Sequence, residues 1–444
     1  METQKGRPLK SIIRALQYRN FRLFFGGQSI SLIGTWMQRI ALSWLVYRLT
    51  HSTFLLGVVG FSSQIPVFLL APFAGVLADR WNRRHILILT QTLAMIQAFV
   101  LSFLVLTEMI QIWQIIGLSL FLGMINSFDM PTRQSFMVEM IGDKKDLGNA
   151  IALNSSMVNG ARLLGPTAAG ILIAAVGEGN CFLINALSYL AVIASLLLMR
   201  IEPRKVKPKE SNVWVGLREG FRYAAGFEPI WVILLTLALI SFMGMPYVVL
   251  MPVFAGDILR GGPDAFGFLM GSTGVGALAG ALFLASRKSV LGLGRLIPIA
   301  VSIFGCGLIA FSFSNVLLLS MLLMLATGFG QMVQMASSNT LLQTIVEDDK
   351  RGRIMSFYAM AFMGLTPVGS LFAGFLASKI GAPWTVCMGG MACTVGAVFF
   401  ARRLPALREK VRPIYRSMGI IPEIATGIQS ATEIPGTGTG KGFH

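Results

Sequence analysis

Between two long apolar runs the chain reads Gly75-Val76-Leu77-Ala78-Asp79-Arg80-Trp81-Asn82-Arg83-Arg84. The run before it covers 54–78 and the run after it 86–107. A helix needs about 20 apolar residues to cross the hydrocarbon core of a bilayer. The quoted stretch is therefore a short charged turn between two membrane-spanning helices.

The same pattern repeats outward in both directions. Apolar runs of spanning length occur at 23–47, 54–78, 86–107, 112–138, 150–176, 181–200, 230–256, 265–286, 296–313, 316–345, 354–377 and 382–401. Open strands cannot cross lipid with their edge groups unpaired, and the runs lack the alternation of a membrane barrel. The predicted fold class is an all-α membrane protein of twelve transmembrane helices. Composition agrees: 54% of the 444 residues are hydrophobic and only 13% charged, against about 25% charged in soluble domains.

The net charge of +17 is sorted by topology and does not point to nucleic acid. Twelve spans put both termini on one face. Of 37 Lys and Arg, only Arg48, Arg260 and Lys379 then fall in loops on the opposite face, and Arg39, Arg133 and Arg162 fall within spans. The positive-inside rule places both termini in the cytoplasm of a bacterial-type inner membrane. Residues 1–22 read as a basic cytoplasmic start, and the apolar run that follows is too long for a signal h-region and has no clear cleavage site.

Two six-helix halves are expected, 23–200 and 230–403. Between them, 201–229 reads as a cytoplasmic linker that ends in an amphipathic surface helix. After 403 a Pro-, Thr- and Gly-rich tail, 404–444, is expected to be disordered. The halves share a register. Gly148, Gly160, Gly165, Gly170 and Gly177 recur 204 residues later as Gly352, Gly364, Gly369, Gly374 and Gly381. Parallel repeats of this kind build one class of secondary transporter, with the substrate site between the halves near mid-membrane.

The stretch 75–84 resembles the G-x-x-x-D-R-x-G-R-R signature of the major facilitator superfamily, at the position where that family carries it. Asn82 replaces the usual Gly, and since Asn is the next best residue for a left-handed turn the departure is mild. The resemblance implies a conformational latch formed by Gly75, Asp79, Arg80, Arg83 and Arg84, with Arg351 and Arg353 as candidate partners from the other half. Simple positive-inside anchoring explains the arginines about as well, but it does not explain Asp79. Gly165-Pro166-Thr167-Ala168-Ala169-Gly170 is similar to the helix-five motif of that family's antiporters. Gly165, Pro166 and Gly170 carry the match, which implies export, and a generic packing face with a Pro kink is the alternative. Trp36 to Tyr47 and Asn126 to Glu139 resemble the subgroup of enterobactin-type siderophore exporters and macrolide efflux proteins.

Charges inside lipid are expensive and so mark function. Asp129 and Arg133 lie one turn apart in span four. Asp129 lies roughly 16 Å and Arg162, in span five, roughly 18 Å from the cytoplasmic helix ends. With Arg39, Asn126 and Asn159 they form a candidate polar cavity, with Asp129 as the protonatable group. A satisfied ion pair locking helices together is the alternative, and an arginine left over after pairing would favour an anionic substrate. Arg39 either lines the cavity or snorkels outward. Asp257 reads as a solvated helix end.

The reading is a secondary transporter that exports a small amphipathic compound, siderophore-like or drug-like, in exchange for protons. An uncoupled facilitator or flippase is the second reading, and a membrane-embedded enzyme the third. No His, the commonest catalytic base, falls in a span. No cofactor or metal is expected. The partners are the substrate, protons and the bilayer, and the chain is expected to act as a monomer. Cys181, Cys306, Cys387 and Cys393 read as free buried thiols.

Overall fold

The computed structural model describes residues 13–200, 213–287 and 289–418, except for side chains at 71–72, 75–80, 144, 213–217 and 348. No strand occurs among the described residues. Among the described residues there are twelve helical passages. In the first half they are α1 Arg19–Thr50, α2 Thr53–Arg80, α3 Arg83–Leu106 and α4 Ile112–Met137, then α5 (147–176) and α6 (178–198). The second half holds α7 Glu228–Ile258, α8 Pro263–Ala285, α9 Leu293–Ser312, α10 Leu317–Ile345, α11 Asp349–Ile380 and α12 Ala382–Ser417. A surface helix, Val213–Gly226, joins the halves.

α5 and α6 run as one rod broken at Gly177, where φ is 81° and ψ 170°. The partner glycine of the repeat, Gly381, has φ 84° and ψ 156° and separates α11 from α12. Left-handed backbone of this kind costs little only without a Cβ, so the repeat register carries a real geometric constraint. Within α7 and α11, wide π turns occur at Ile240–Gly244, Phe254–Ile258 and Met360–Gly364.

The repeat glycines also decide where the halves touch. A Cβ on Gly170 of α5 would lie 2.7 Å from the Pro263 carbonyl and 2.9 Å from the Gly267 Cα of α8. A Cβ on Gly374 of α11 would lie 2.7 Å from the Thr53 carbonyl and 2.8 Å from the Gly57 Cα of α2. Gly165 packs on Trp36 of α1, and Gly369 packs on Phe242 and Pro246 of α7. Each half therefore offers equivalent glycines to equivalent helices. Small residues allow such close approach where no hydrophobic force separates helix from lipid.

Three sequence expectations change. Asn82 is not left-handed: its φ is −66°, and its side chain accepts the N–H groups of Arg84 and His85 as the N-cap of α3. The boundary at 403 is too early, since α12 continues to Ser417. Leu407 and Val411 recur at helical spacing and bury against the second half, while Arg403 and Lys410 bind Glu228 at 2.9 and 2.6 Å. The remaining tail and the linker 201–212 lie outside the described residues. Of the four free cysteines Cys306 is exposed, not buried.

At the end of the bundle that carries most of the basic residues, Asp146 gathers Arg14 at 2.5 Å, Tyr18 at 2.9 Å and Gln17 at 3.0 Å. The hydrogen bond to this carboxylate pushes the Tyr18 phenol up. The segment before α1 is thereby tied to the α4–α5 connection.

Candidate substrate cavity

Asp129 is buried in α4 with 6% of its side chain exposed. Its Oδ1 accepts hydrogen bonds from Thr90 Oγ1 at 3.0 Å and Gln91 Nε2 at 2.7 Å, both on α3. Its Oδ2 lies 3.6 Å from Arg133 Nε on the next turn. Pro131 stands between the two residues and interrupts the helix hydrogen bonding there. The carboxylate thus ties α4 to α3 rather than to α5. Thr90 and Gln91 are functional candidates that the hydropathy pattern did not single out, although polar residues in an apolar run were the available signal.

Arg39 and Arg162 are not brought to a carboxylate. Arg39 is exposed, with its guanidinium 4.9 Å from the Trp36 ring. Its electrostatic neighbours are Tyr189 of α6, Arg162 of α5 and Arg133 of α4. Those residues stand on other helices of the same half. Arg162 is half-buried, and Tyr247 of α7, across in the other half, also feels its charge. Tyr189 feels Asp129 and Arg39. Arg39, Arg133, Arg162 and Asp129 therefore form one electrostatic group, bordered by Tyr189 and Tyr247. Asn126 is half-buried, and Asn159 donates its Nδ2 to the Ser155 carbonyl of its own helix at 2.9 Å.

The first half holds this group on a rigid polar seam. Asn185 donates to Gln38 at 2.6 Å and Gln38 to Gln97 at 3.0 Å, joining α6, α1 and α3. All three are buried. A buried amide is tolerable only when its partners are supplied, so the seam fixes the rotation of three helices about the cavity.

Of the residues in the latch signature, Arg83 binds Glu139 at 2.6 Å. Arg84 donates to the carbonyls of Leu196 and Leu197, each at 2.8 Å, at the C-terminal end of α6. These contacts staple the first half internally, and the helix-end carbonyls suit a cation. Arg353 binds Glu219 of the surface helix at 2.7 Å, and Arg351 is half-buried in the first turn of α11. The side chains of Asp79 and Arg80, and the surroundings of Gly75, lie outside the description.

The two halves close against each other at the end away from the basic face. Tyr47 of α1 donates its hydroxyl to Asp257 Oδ1 of α7 at 2.5 Å. Trp44 stacks on Phe266 of α8 with centroids 6.3 Å apart. Asp257 is exposed, as a helix-end residue should be, but it also bridges the halves. The Gly57–Gly374 and Gly170–Gly267 contacts lie on the same side of mid-depth.

Residues 11–422 match the family described as transmembrane secretion effector. The chain is 25% identical over 385 residues to the staphyloferrin A transporter of Staphylococcus aureus, covering 86% of this chain and 96% of that one. It is 22% identical over 398 residues to macrolide efflux protein A of Streptococcus pyogenes, again covering 86% and 96%. Among solved structures, a bacterial homologue of the iron transporter ferroportin in an inward-facing state superposes with a TM-score of 0.67 at 18% identity, covering 87% of this chain and 98% of that one. This last likeness shows the fold alone. The chain is a multi-pass membrane transporter, and it belongs to the transmembrane secretion effector family, within the efflux branch of the major facilitator superfamily.

Proposed function

We propose that the chain exports a small amphipathic compound, siderophore-like or drug-like, across the bacterial inner membrane by alternating access, in exchange for protons. The basic end of the bundle faces the cytoplasm in this reading. The observation that carries it is the buried Asp129, which sits inside the first of two repeated halves that are already closed against each other at the far end. Asp129 meets one cation, one amide and one hydroxyl. Protonation would release Arg133 and loosen α4 from α3, so a proton and a helix movement are linked through one carboxylate.

The family supports transport, and the efflux protein among its relatives supports the outward direction. In proteoliposomes, labelled erythromycin and 1-pyrenebutyrate serve as an amphipathic amine and an amphipathic carboxylate. Accumulation of at least one should require an imposed pH gradient. Asp129→Asn should abolish that dependence while the protein still reaches the membrane. Full gradient-driven transport in Asp129→Asn sinks the coupling role. Transport indifferent to the gradient in the unmodified protein favours an uncoupled facilitator.

A further inference from the structure

We propose that the cavity takes its substrate as an amphipathic anion, with an oxyanion group held between Arg39 and Arg162 and the rest of the molecule directed toward the second half. The proposal rests on the transport reading above and names the chemistry of the same site.

The argument begins with charge. Asp129 is the one acidic residue at mid-depth among the described residues, and Arg133, Thr90 and Gln91 already engage it. Arg39 and Arg162 feel each other's charge, and among the described residues neither makes an ion pair; Arg39 lies over the Trp36 ring, and that tryptophan packs on Gly165, one turn along α5 from Arg162. Three guanidinium groups against one carboxylate leave the group with an excess of two positive charges. Arginine does not lose its proton in a protein, so the imbalance cannot be removed by titration. Their charges act on residues of neighbouring spans, Arg39 on Tyr189 and Arg133, and Arg162 on Tyr247 across in the second half. Like charges held together at mid-membrane repel, and an anion joining them relieves that repulsion directly.

The second half is built differently. In α7 to α11, and in α12 before its extension at 402, Asp, Glu, Lys and Arg occur only close to the helix ends. The residue it presents to Arg162 is Tyr247, a neutral donor on an aromatic body. A substrate spanning the space therefore meets two fixed cations on one side and an uncharged wall on the other. That asymmetry selects a molecule with an anionic head and an apolar or neutral body. Guanidinium groups suit a planar carboxylate or a phosphate through paired N–H donors. The oxyanion has two possible sources, a solute from the cytoplasm or the headgroup of an anionic lipid.

The test uses the full chain in phosphatidylcholine nanodiscs. Binding of 1-pyrenebutyrate is compared with binding of its uncharged amide, read as energy transfer from the protein tryptophans; Trp36 lies 4.9 Å from the Arg39 guanidinium. The unmodified protein should prefer the carboxylate by about tenfold or more, the size of one charge-assisted hydrogen bond. Arg39→Gln and Arg162→Gln should each lower carboxylate affinity about tenfold and leave amide binding unchanged, which also reports that the variants fold. Arg39→Lys and Arg162→Lys should keep most of the preference, and Lys379→Gln should keep all of it. Adding phosphatidylglycerol separates the sources. Competition in the unmodified protein that vanishes in Arg39→Gln assigns the site to a lipid headgroup, and lack of competition assigns it to a solute. Equal affinity for carboxylate and amide, or Gln variants that bind the carboxylate unchanged, overturns the proposal. A protein that binds the carboxylate selectively yet moves neither probe overturns export and leaves the anion site standing. Gradient-driven transport with charge-blind binding does the reverse.

Discussion

Two carboxylates, Asp129 and Asp257, do opposite jobs with similar means. Asp129 is sealed inside one half and holds its helices in register. Asp257 stands exposed at the far end and accepts a hydroxyl from the other half. A hydrogen bond to a charged acceptor contributes about 1.5–3 kcal/mol. That is enough to shift a two-state equilibrium by tenfold or more. Tyr47→Phe removes the donor and little else, since the ring keeps its contacts with Trp44 and His51. Spin labels placed at Met109 and Arg260, one in each half, should then report a larger population of long distances. An unchanged distance distribution means that Tyr47–Asp257 does not hold the far end shut. The charged members of the cavity were legible in the sequence because Asp129, Arg133, Arg162 and Arg39 interrupt apolar runs. Their partners were not. Whether Arg133 alone or α3 as well meets Asp129 depends on helix rotation, which hydropathy does not fix, and Asn82 read as a turn residue because its capping role needs three-dimensional context.

At the scale of elements, the repeat at an offset of 204 residues turns out to be a packing rule. Gly170 meets α8 and Gly374 meets α2, each with a backbone carbonyl 2.7 Å from where a Cβ would stand. Nothing flexible is there to yield, because the opposing atoms are backbone. Gly374→Leu should therefore force α11 and α2 apart. Overpacking of this kind costs about 1–3 kcal/mol. The contact belongs to the form seen here, closed at the far end, so the cost should fall on that form and bias the protein toward opening there. Faster modification of a cysteine placed near Thr53 by an impermeant maleimide, with transport lost and membrane insertion kept, is the expected result. Gly160→Ala, where nothing lies within 4 Å, should change neither measurement. Slow labelling in Gly374→Leu would refute the idea that these glycines belong to the closed form. The register was visible from sequence, but the identity of the opposing helices was not. The end of α12 was misjudged for a related reason. Pro405 and Pro413 suggested a coil, yet Leu407 and Val411 keep a helical stripe that the second half buries.

For the whole molecule, the distribution of charge connects insertion, cavity and direction of transport. The loops between α2 and α3, α4 and α5, and α10 and α11 lie at the end that also carries Arg19 and the α12 extension, and this end holds most of the basic residues. The opposite end carries Glu108, Glu178, Asp257 and Asp264, with few cations. Lys and Arg are retained on the cytoplasmic side during insertion, largely without regard to acidic residues. The rule is strongest for short loops, and the loops between helices of each half are short. The basic end should therefore be cytoplasmic, and the end closed by Tyr47–Asp257 should face outward. In that orientation an anion attracted by the basic face reaches the Arg39–Arg162 space from the cytoplasm before the outer contacts break, which is the order export requires. Fusions of green fluorescent protein and of alkaline phosphatase after Ser417 and after Glu108 test the assignment directly. The fusion after Ser417 should be fluorescent and lack phosphatase activity, and the fusion after Glu108 should behave oppositely. The reverse pattern would place the closed end in the cytoplasm. The same contacts would then guard the entrance rather than the exit, and the cavity would load from outside.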